Sequence, residues 1–506
     1  MTAPVTARVR ALRRPDPAAV EGSRPAGADD RTPLGGTVLA VLLSLGTCAG
    51  ALIGLGSIAQ YLYPLACAGV AALLLLQRRH AGFLEFALWL WFLSPEVRRV
   101  VDWRTGWHPV SYVMVAAPLA TVLCLLPALR NVRPVHRSAV LAFTVFLVAL
   151  GYATAVGVVR TGPAAPAADV LQWLPPVALG VWIANSELST RDLRRALTRT
   201  AVAGGVVLGL YALVQFVLLP PWDSYWFENA PLGSLGSNEP FEVRVWSLLN
   251  SPGPFATVLL ALMALVLASR SPLRWVSFGL SAVGIGLSLV RAAWAGFVVL
   301  LLVLVTRMKK ASAAVIAATA LLLVVMAALG GPVYDAIAER FDTSVQSGSS
   351  DVSFTERLAF HVEMLPVILA DPVGQGLGAS GVATKLDNAG DLGTRGDFDG
   401  GALQVLFAFG PLVGTAVLVT VLLAVLAAWA RSREQEPLFK VCAAAAVALV
   451  SQLVFGNPFT SVSGVVLWVV LGVVARDRSD EQDDAAGAPA PARHVAAPAL
   501  APVRRR

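Results

Sequence analysis

The apolar positions of this chain fall in long runs, separated by short polar breaks, from Leu34 to Val474. A helix needs roughly 20 mostly apolar residues to cross a bilayer. Runs of that kind lie near 34–54, 57–76, 109–129, 138–159, 168–184, 199–219, 253–269, 311–330, 401–430, 438–455 and 459–475. The run at 82–94 is short, and the block 275–306 divides into 275–290 and 292–306 or forms one long broken element. The pattern predicts an all-α fold, a polytopic integral membrane helical bundle of about 12–14 transmembrane helices.

Charge orders these spans. With the arginine-rich N-terminus inside, every second loop is basic, as the positive-inside rule expects. These loops carry Arg78/Arg79, Arg130/Arg133/Arg137, Arg191/Arg194/Arg195, Arg270/Arg274, Arg307/Lys309/Lys310 and Arg431/Arg433/Lys440. Segment 95–108 breaks the rule, because Arg98, Arg99 and Arg104 fall outside. Either the early spans are miscounted or these arginines have a role there; the second reading is favoured.

Composition narrows the class. Of 506 residues, 56% are hydrophobic and only 14% charged, where soluble chains carry about 25% charged residues. Mean hydropathy is +0.69. A soluble enzyme and a single membrane anchor are both excluded. The net charge of +7 fits basic cytoplasmic loops, with no aromatic-interleaved patch for nucleic acid. Cys48, Cys67, Cys124 and Cys442 lie in apolar runs without metal or disulfide spacing, and read as small hydrophobes.

Three regions lie outside the runs. Residues 1–33 read as a disordered cytoplasmic tail, too long and proline-rich for a signal-peptide n-region. Residues 477–506 read as a second such tail, leaving 34–476 as the membrane domain. Two long loops, 220–252 and 331–400, face outward and carry Trp222, Tyr225, Trp226, Phe227, Trp246, Phe354 and Phe360. Their aromatic content argues against disorder and for a cap over the bundle.

Four stretches carry candidate chemistry. In 240–258, Arg244 precedes a span entered through Asn250, Pro252 and Pro254. It is either a snorkelling interfacial arginine or one fixed to hold phosphate through its planar fork. In 285–296, Arg291 interrupts a charge-free run; it marks an outside turn or a functional cation, and function is favoured because a turn would use Gly, Ser or Asn. In 354–379, Ser353 or Thr355 can cap a helix starting near Glu356. Arg357 and His361 share one face of it, and Leu358, Val362 and Leu365 make an apolar side. This predicts an amphipathic helix on the outer surface, ended by Asp371-Pro372. Glycines of 374–381, Gly376 and Gly378 among them, then form a tight turn or an anion nest. His361 alone reads as a satisfied surface histidine. In 395–414, Asp397 and Asp399 stand at the mouth of the next span, as loop charge or as a carboxylate orienting an acceptor hydroxyl.

Taken in order, RVWSLLNSPGPFA, SLVRAAWAG, an outer loop with R-x-x-x-H and P-x-G-x-G-x-G, and an Asp before a span ending FGPLVG resemble the O-antigen ligase/polymerase family over residues 240–415. The resemblance implies a GT-C-type membrane fold. It implies transfer of glycan from an undecaprenyl-diphosphate donor to an acceptor hydroxyl on the outer face of the cytoplasmic membrane. It implies neither nucleotide sugar nor metal nor other cofactor. Partners would be the lipid-linked donor, a glycan, lipid or protein acceptor, and membrane lipids, with no nucleic acid. Carried over by position, Arg244, Arg291 and Arg357 match the family's arginines, with Val290 where the family has Ser. Asp399 falls where ligases have His-Asn and polymerases Asp-Asn; here Gly400 follows. The missing His-Asn pair argues against a lipopolysaccharide-core ligase and leaves a polymerase or a ligase onto another acceptor. In this expectation Arg291, Arg357, His361 and Asp399 are catalytic, while Arg244, Asn250, Gly376 and Gly378 bind substrate. The alternative is a secondary transporter or lipid-linked glycan flippase, which would trap charge inside its spans.

Overall fold

The computed structural model describes the chain from residue 35 to 476, apart from 131–134, 231, 233–234, 333, 336–337, 339–351, 387–389, 393–397 and 399. Both terminal tails, Asp397 and Asp399 lie outside the described residues, as does the side chain of Arg357.

The described residues are helical, with two isolated β-bridges and no strand. In chain order the helices are α1 (Gly36–Gly50), α2 (Gly56–Leu76), α3 (His80–Thr105), α4 (Ala116–Val122), α5 (Leu125–Arg130), α6 (Arg137–Thr161) and α7 (Ala164–Asn185). There follow α8 (Thr190–Leu218), α9 (Pro221–Asn229), α10 (Pro252–Val266), α11 (Arg274–Ser288), α12 (Arg291–Arg307) and α13 (Lys309–Leu329). The last are α14 (Val352–Ala370), α15 (Gly401–Phe409), α16 (Pro411–Arg431), α17 (Pro437–Val450) and α18 (Ser461–Ala475).

Seven helical stretches among the described residues are long and apolar enough to cross a membrane, against the about 12–14 expected. Several of the other runs form shorter helices: α10 and α18 have 15 residues each. Large apolar side chains also face outward, including Ile53, Leu76, Val159 and Leu412. A soluble surface rarely carries so much apolar area, and the whole suggests a membrane protein.

The stretch Gly36–Leu76 turns back on itself. Gly54 has φ 93°, a conformation open to glycine. Beyond it the Tyr63 hydroxyl comes within 3.1 Å of Ser44 Oγ, a contact impossible along one straight helix at 1.5 Å per residue. Thus α1 and α2 form a hairpin, matching the separate runs 34–54 and 57–76.

The short run at 82–94 corrects the early topology. It is the first half of α3, which continues unbroken through Arg98, Arg99 and Asp102, all buried. Segment 95–105 is therefore helix rather than loop. The block 275–306 is two helices, parted where Leu289 adopts φ 55°. The run 401–430 breaks at Gly410, φ 80°, into the short α15 and the long α16. Helices α10 and α18 are buried almost all round, the place of a helix apolar on every face. Beside α18, Phe146, Trp173, Phe409, Phe459 and Trp468 form an aromatic cluster.

Helix α14 starts at Val352, earlier than expected, and ends at Ala370 before Asp371-Pro372. Its packed face is Phe360, Met364 and Ile368 against Leu403 and Phe407 of α15. Val362 and Leu365, expected to form the apolar side, are exposed. The helix is apolar on more than one face, so spacing alone did not choose the buried one.

Candidate functional site

The centre of the site is an irregular segment, Val243–Leu249, buried along its length except at Arg244. Buried non-helical backbone needs partners for its polar groups, and the segment with the adjoining Asn250 finds them on four helices. Gln215 Oε1 of α8 accepts from the N–H groups of Trp246 and Ser247 at 2.8 and 2.9 Å. Leu287 O of α11 accepts from Val245 N at 3.3 Å. Ser247, at φ 53°, donates its hydroxyl to Leu208 O at 2.7 Å. On the other side, the Arg99 guanidinium of α3 donates to Leu249 O and, at 2.6 Å, to Ser247 O. Trp226 Nε1 of α9 donates to Asn250 O at 3.2 Å.

Arg99 is wholly buried and sits between two carboxylates. It donates to Glu96, and its Nε lies 3.0 Å from Asp223 Oδ1, close enough to pair but not aligned as a hydrogen bond. The Tyr211 hydroxyl lies 2.8 Å from Glu96 Oε1 and 3.0 Å from Asp223 Oδ2, while accepting from Trp222 Nε1. One hydroxyl proton serves only one of those two oxygens; the second contact requires a proton on a carboxyl. Asp223 carries it. Burial pushes its carboxyl up to about 7, with the Arg99 charge opposing and the Glu96 charge adding. Below about pH 7 one guanidinium therefore balances one carboxylate, with the second acid neutral.

Arg98, the next residue, points into an aromatic slot. Its guanidinium lies 5.3 Å from the Trp107 ring centre and 4.8 Å from that of Trp226. It pairs with Asp102 at 3.1 Å and donates to His108 O at 2.8 Å. Asp102 also meets His108 Nδ1 at 3.2 Å. Lys385 approaches the same Trp107 ring at 6.0 Å. Burial, and then the Arg98 charge, hold its ammonium below the usual lysine range.

The expected residues divide into two places. Arg244 and Asn250 belong to the buried segment. Arg244 donates through Nε and Nη2 to Ser288 O and Leu289 O at 3.2 and 3.4 Å, and so grips the turn from which Arg291 opens α12. The Asn250 amide lies 3.6 Å from Met114 Sδ. His361 stands elsewhere, over Gly400 at the start of α15. A Cβ on Gly400 would fall 2.8 Å from His361 Nε2, and its φ of 104° suits glycine alone. That geometry gives a physical reason for glycine at position 400.

Gly376 and Gly378 are spent on packing. Gly376 N donates to Ala408 O at 3.0 Å and Gly378 N to Asp169 Oδ2 at 2.9 Å. Gln375 N and Leu377 N are likewise taken, by Phe407 O and Ala153 O. Of the two readings, tight turn or anion nest, the turn is the one formed, and the substrate-binding role for these glycines is not supported by their N–H groups. The run is a strap drawn across α6 and α15, pinned by the two hydrogen bonds of Arg160 to Asp371 at 2.7 and 3.1 Å.

Sequence reasoning missed Glu96, Tyr211, Gln215 and Lys385. The one available signal was the misplaced charge of Arg98 and Arg99. No family model matches this chain, and no curated protein matches it in sequence.

Proposed function

We propose that this protein is a membrane glycosyltransferase of cell-envelope polysaccharide synthesis, working at the outer face of the cytoplasmic membrane. It would transfer or polymerise glycan from an undecaprenyl-diphosphate-linked donor onto an acceptor hydroxyl. The observation that carries this reading is the docking of Arg244 on the Ser288–Leu289 turn that launches Arg291. Two arginines far apart in sequence are thereby gathered at one turn. Leaving diphosphate develops negative charge, and preorganised guanidinium groups stabilise it without reorganising. His361 or Asp399 would orient the attacking hydroxyl.

The test is lipid-linked glycan length in a deletion strain complemented with wild type, Arg291→Ala or Arg244→Ala. Single repeat units accumulating in the deletion and both mutants mean a polymerase that needs these arginines. Full-length lipid-linked chains accumulating mean a ligase. Normal polymer in both mutants sinks the mechanism.

One observation favours the second reading, a transporter or flippase. Asp169 is buried within α7, a helix of span length, and intramembrane carboxylates often mark transport paths. Its commitment to the Gly378 N–H weighs towards packing instead. An unchanged glycan profile in the deletion strain would turn the assignment to transport.

A further inference from the structure

We propose that His108 is the general base of the transfer, taking the proton of a sugar hydroxyl on Nε2 while Asp102 holds its ring, and that Ser111 and Asn250 bind the same acceptor. The inference rests on the glycosyltransferase reading and names the proton acceptor that reading leaves open.

Asp102 gives the imidazole its direction. The carboxylate is buried, at 1% exposure. Its Oδ2 pairs with Arg98 Nε at 3.1 Å, and its Oδ1 meets His108 Nδ1 at 3.2 Å. A carboxylate only accepts, so Nδ1 carries the ring proton and Nε2 keeps the lone pair. Among the described residues no hydrogen bond engages Nε2, and the His108 side chain is 36% exposed. A histidine oriented through one nitrogen and open at the other has the arrangement of a general base.

A purely structural pair would leave its neighbours satisfied, and they are not. Ser111 is buried at 6% exposure, yet among the described residues its hydroxyl has no partner. The buried Asn250 Oδ1 has none either, and Asn250 Nδ2 finds only the weak acceptor Met114 Sδ, at 3.6 Å. Buried polar atoms are nearly always hydrogen-bonded, so orphans gathered in one place point to a ligand that completes them.

A ring of contacts gathers these groups. Arg98 Nη2 donates to His108 O at 2.8 Å, and its guanidinium lies 4.8 Å from the Trp226 ring centre. Trp226 Nε1 donates to Asn250 O. On the other flank Met114 N donates to Ser111 O at 3.2 Å, while Met114 Sδ meets Asn250. Both ends of 108–114 are thereby tied to Asn250. A sugar offers adjacent hydroxyls enough for all three side chains. In the step, the acceptor O–H bond breaks and its proton goes to Nε2. The oxygen's electron pair forms the new bond to the anomeric carbon. The bond from that carbon to the diphosphate oxygen breaks, and its pair leaves on the diphosphate.

The experiment uses membranes of the deletion strain complemented with each variant, so that donor and acceptor are the native ones. Glycan length and the initial rate of transfer are read with and without added imidazole. His108→Ala should slow transfer by about 100-fold or more at an unchanged amount of protein in the membrane, and imidazole should restore part of the loss. His108→Gln, which keeps polar bulk but not basicity, should be as slow. Ser111→Ala should cost about fivefold, with no rescue. In the His108→Ala background Asp102→Asn should cost nothing further, because its effect runs through the ring. Wild-type rate in His108→Ala overturns the proposal, as does an active His108→Gln beside a slow His108→Ala that imidazole does not restore. Normal polymer in His108→Ala with polymer lost in Arg291→Ala and Arg244→Ala strikes this inference alone. Normal polymer in the deletion strain removes the glycosyltransferase reading beneath it.

Discussion

Asp223→Asn is the most exacting test of the buried network that holds the central segment. In the wild type, Arg99 faces Glu96 and Asp223, and the Tyr211 hydroxyl stands between the two carboxyls. If Asp223 is the neutral member, asparagine reproduces it: the amide oxygen faces Arg99 Nε, and the amide N–H donates to Tyr211 as the carboxyl proton did. The sign follows from the raised carboxyl. Its ordinary value is 3.8 and burial lifts it to about 7. Between those values the folded protein holds a proton that the unfolded chain has released, so stability is highest below the window and falls as pH rises through it. At about 1.4 kcal/mol per pH unit of separation, the loss across the window is of the order of a few kcal/mol, undiluted by solvent because the side chain is fully enclosed.

The assay is thermal unfolding of the purified protein in detergent from pH 5 to pH 8, read as the difference between variants at each pH. At pH 5, Asp223→Asn should match the wild type within about 1 kcal/mol, whereas Asp223→Ala, which removes one partner of the Tyr211 hydroxyl and the acid facing Arg99 Nε, should lose about 1–3 kcal/mol. At pH 8 the asparagine variant should be the more stable protein. A difference between wild type and Asp223→Asn that does not change with pH refutes the shared-proton argument. So does an asparagine variant that unfolds below the alanine one. Arg99→Met should fail at every pH by about 3–5 kcal/mol, since it abandons a carboxylate and two backbone carbonyls together.

Three further outcomes follow from local geometry. Gly376→Ala, at φ 82° with Gly157 backbone against the new methyl, should cost about 2–5 kcal/mol and be seen as a lowered melting temperature. Gly400→Asn should displace His361, whose ring occupies the space above it; a side-chain cross-peak of His361 unchanged by the substitution would contradict this. Hydrogen bonds from Arg160 hold the Asp371 carboxyl below the usual carboxylate range, so their contribution is present above that range and lost as pH falls through the depressed value. Hydrogen exchange in 371–378 should therefore quicken in acid in the wild type and show no such step in Asp371→Asn.

The helices were legible because the hydrophobic effect acts along one dimension: a run of twenty apolar residues announces itself wherever its partners lie. The hairpin at Gly54, the two halves of 275–306 and the end of α14 at Asp371 were all marked by glycine, charge or proline at the break. The face of α14 was not, because Val362 and Leu365 are as apolar as Met364 and Ile368, and only the position of α15 chose between them. The site divides in the same way. Arg244 could be picked out by motif, and its guanidinium reaches the Ser288 and Leu289 carbonyls of the turn that precedes α12.

The Arg99 network could be sensed only as an anomaly, three arginines in a segment that alternation of loop charge had put outside. What resolves the anomaly is the central segment itself. Buried irregular backbone survives only where protein satisfies its polar groups, and Val243–Leu249 is buried outside any helix or strand, so its carbonyls need other donors. A buried arginine answers two of them at once, and a buried arginine in turn demands carboxylates, which α3 and α9 supply. The charge in α3 is thus a consequence of the bent segment that positions Arg244 and Asn250. The order of dependence predicts that loss of Arg99 unseats Arg244 from its turn, whereas loss of Arg244 leaves the Arg99 network intact. Chemical-shift changes at Ser247 in Arg244→Ala as large as those in Arg99→Met would reverse that order.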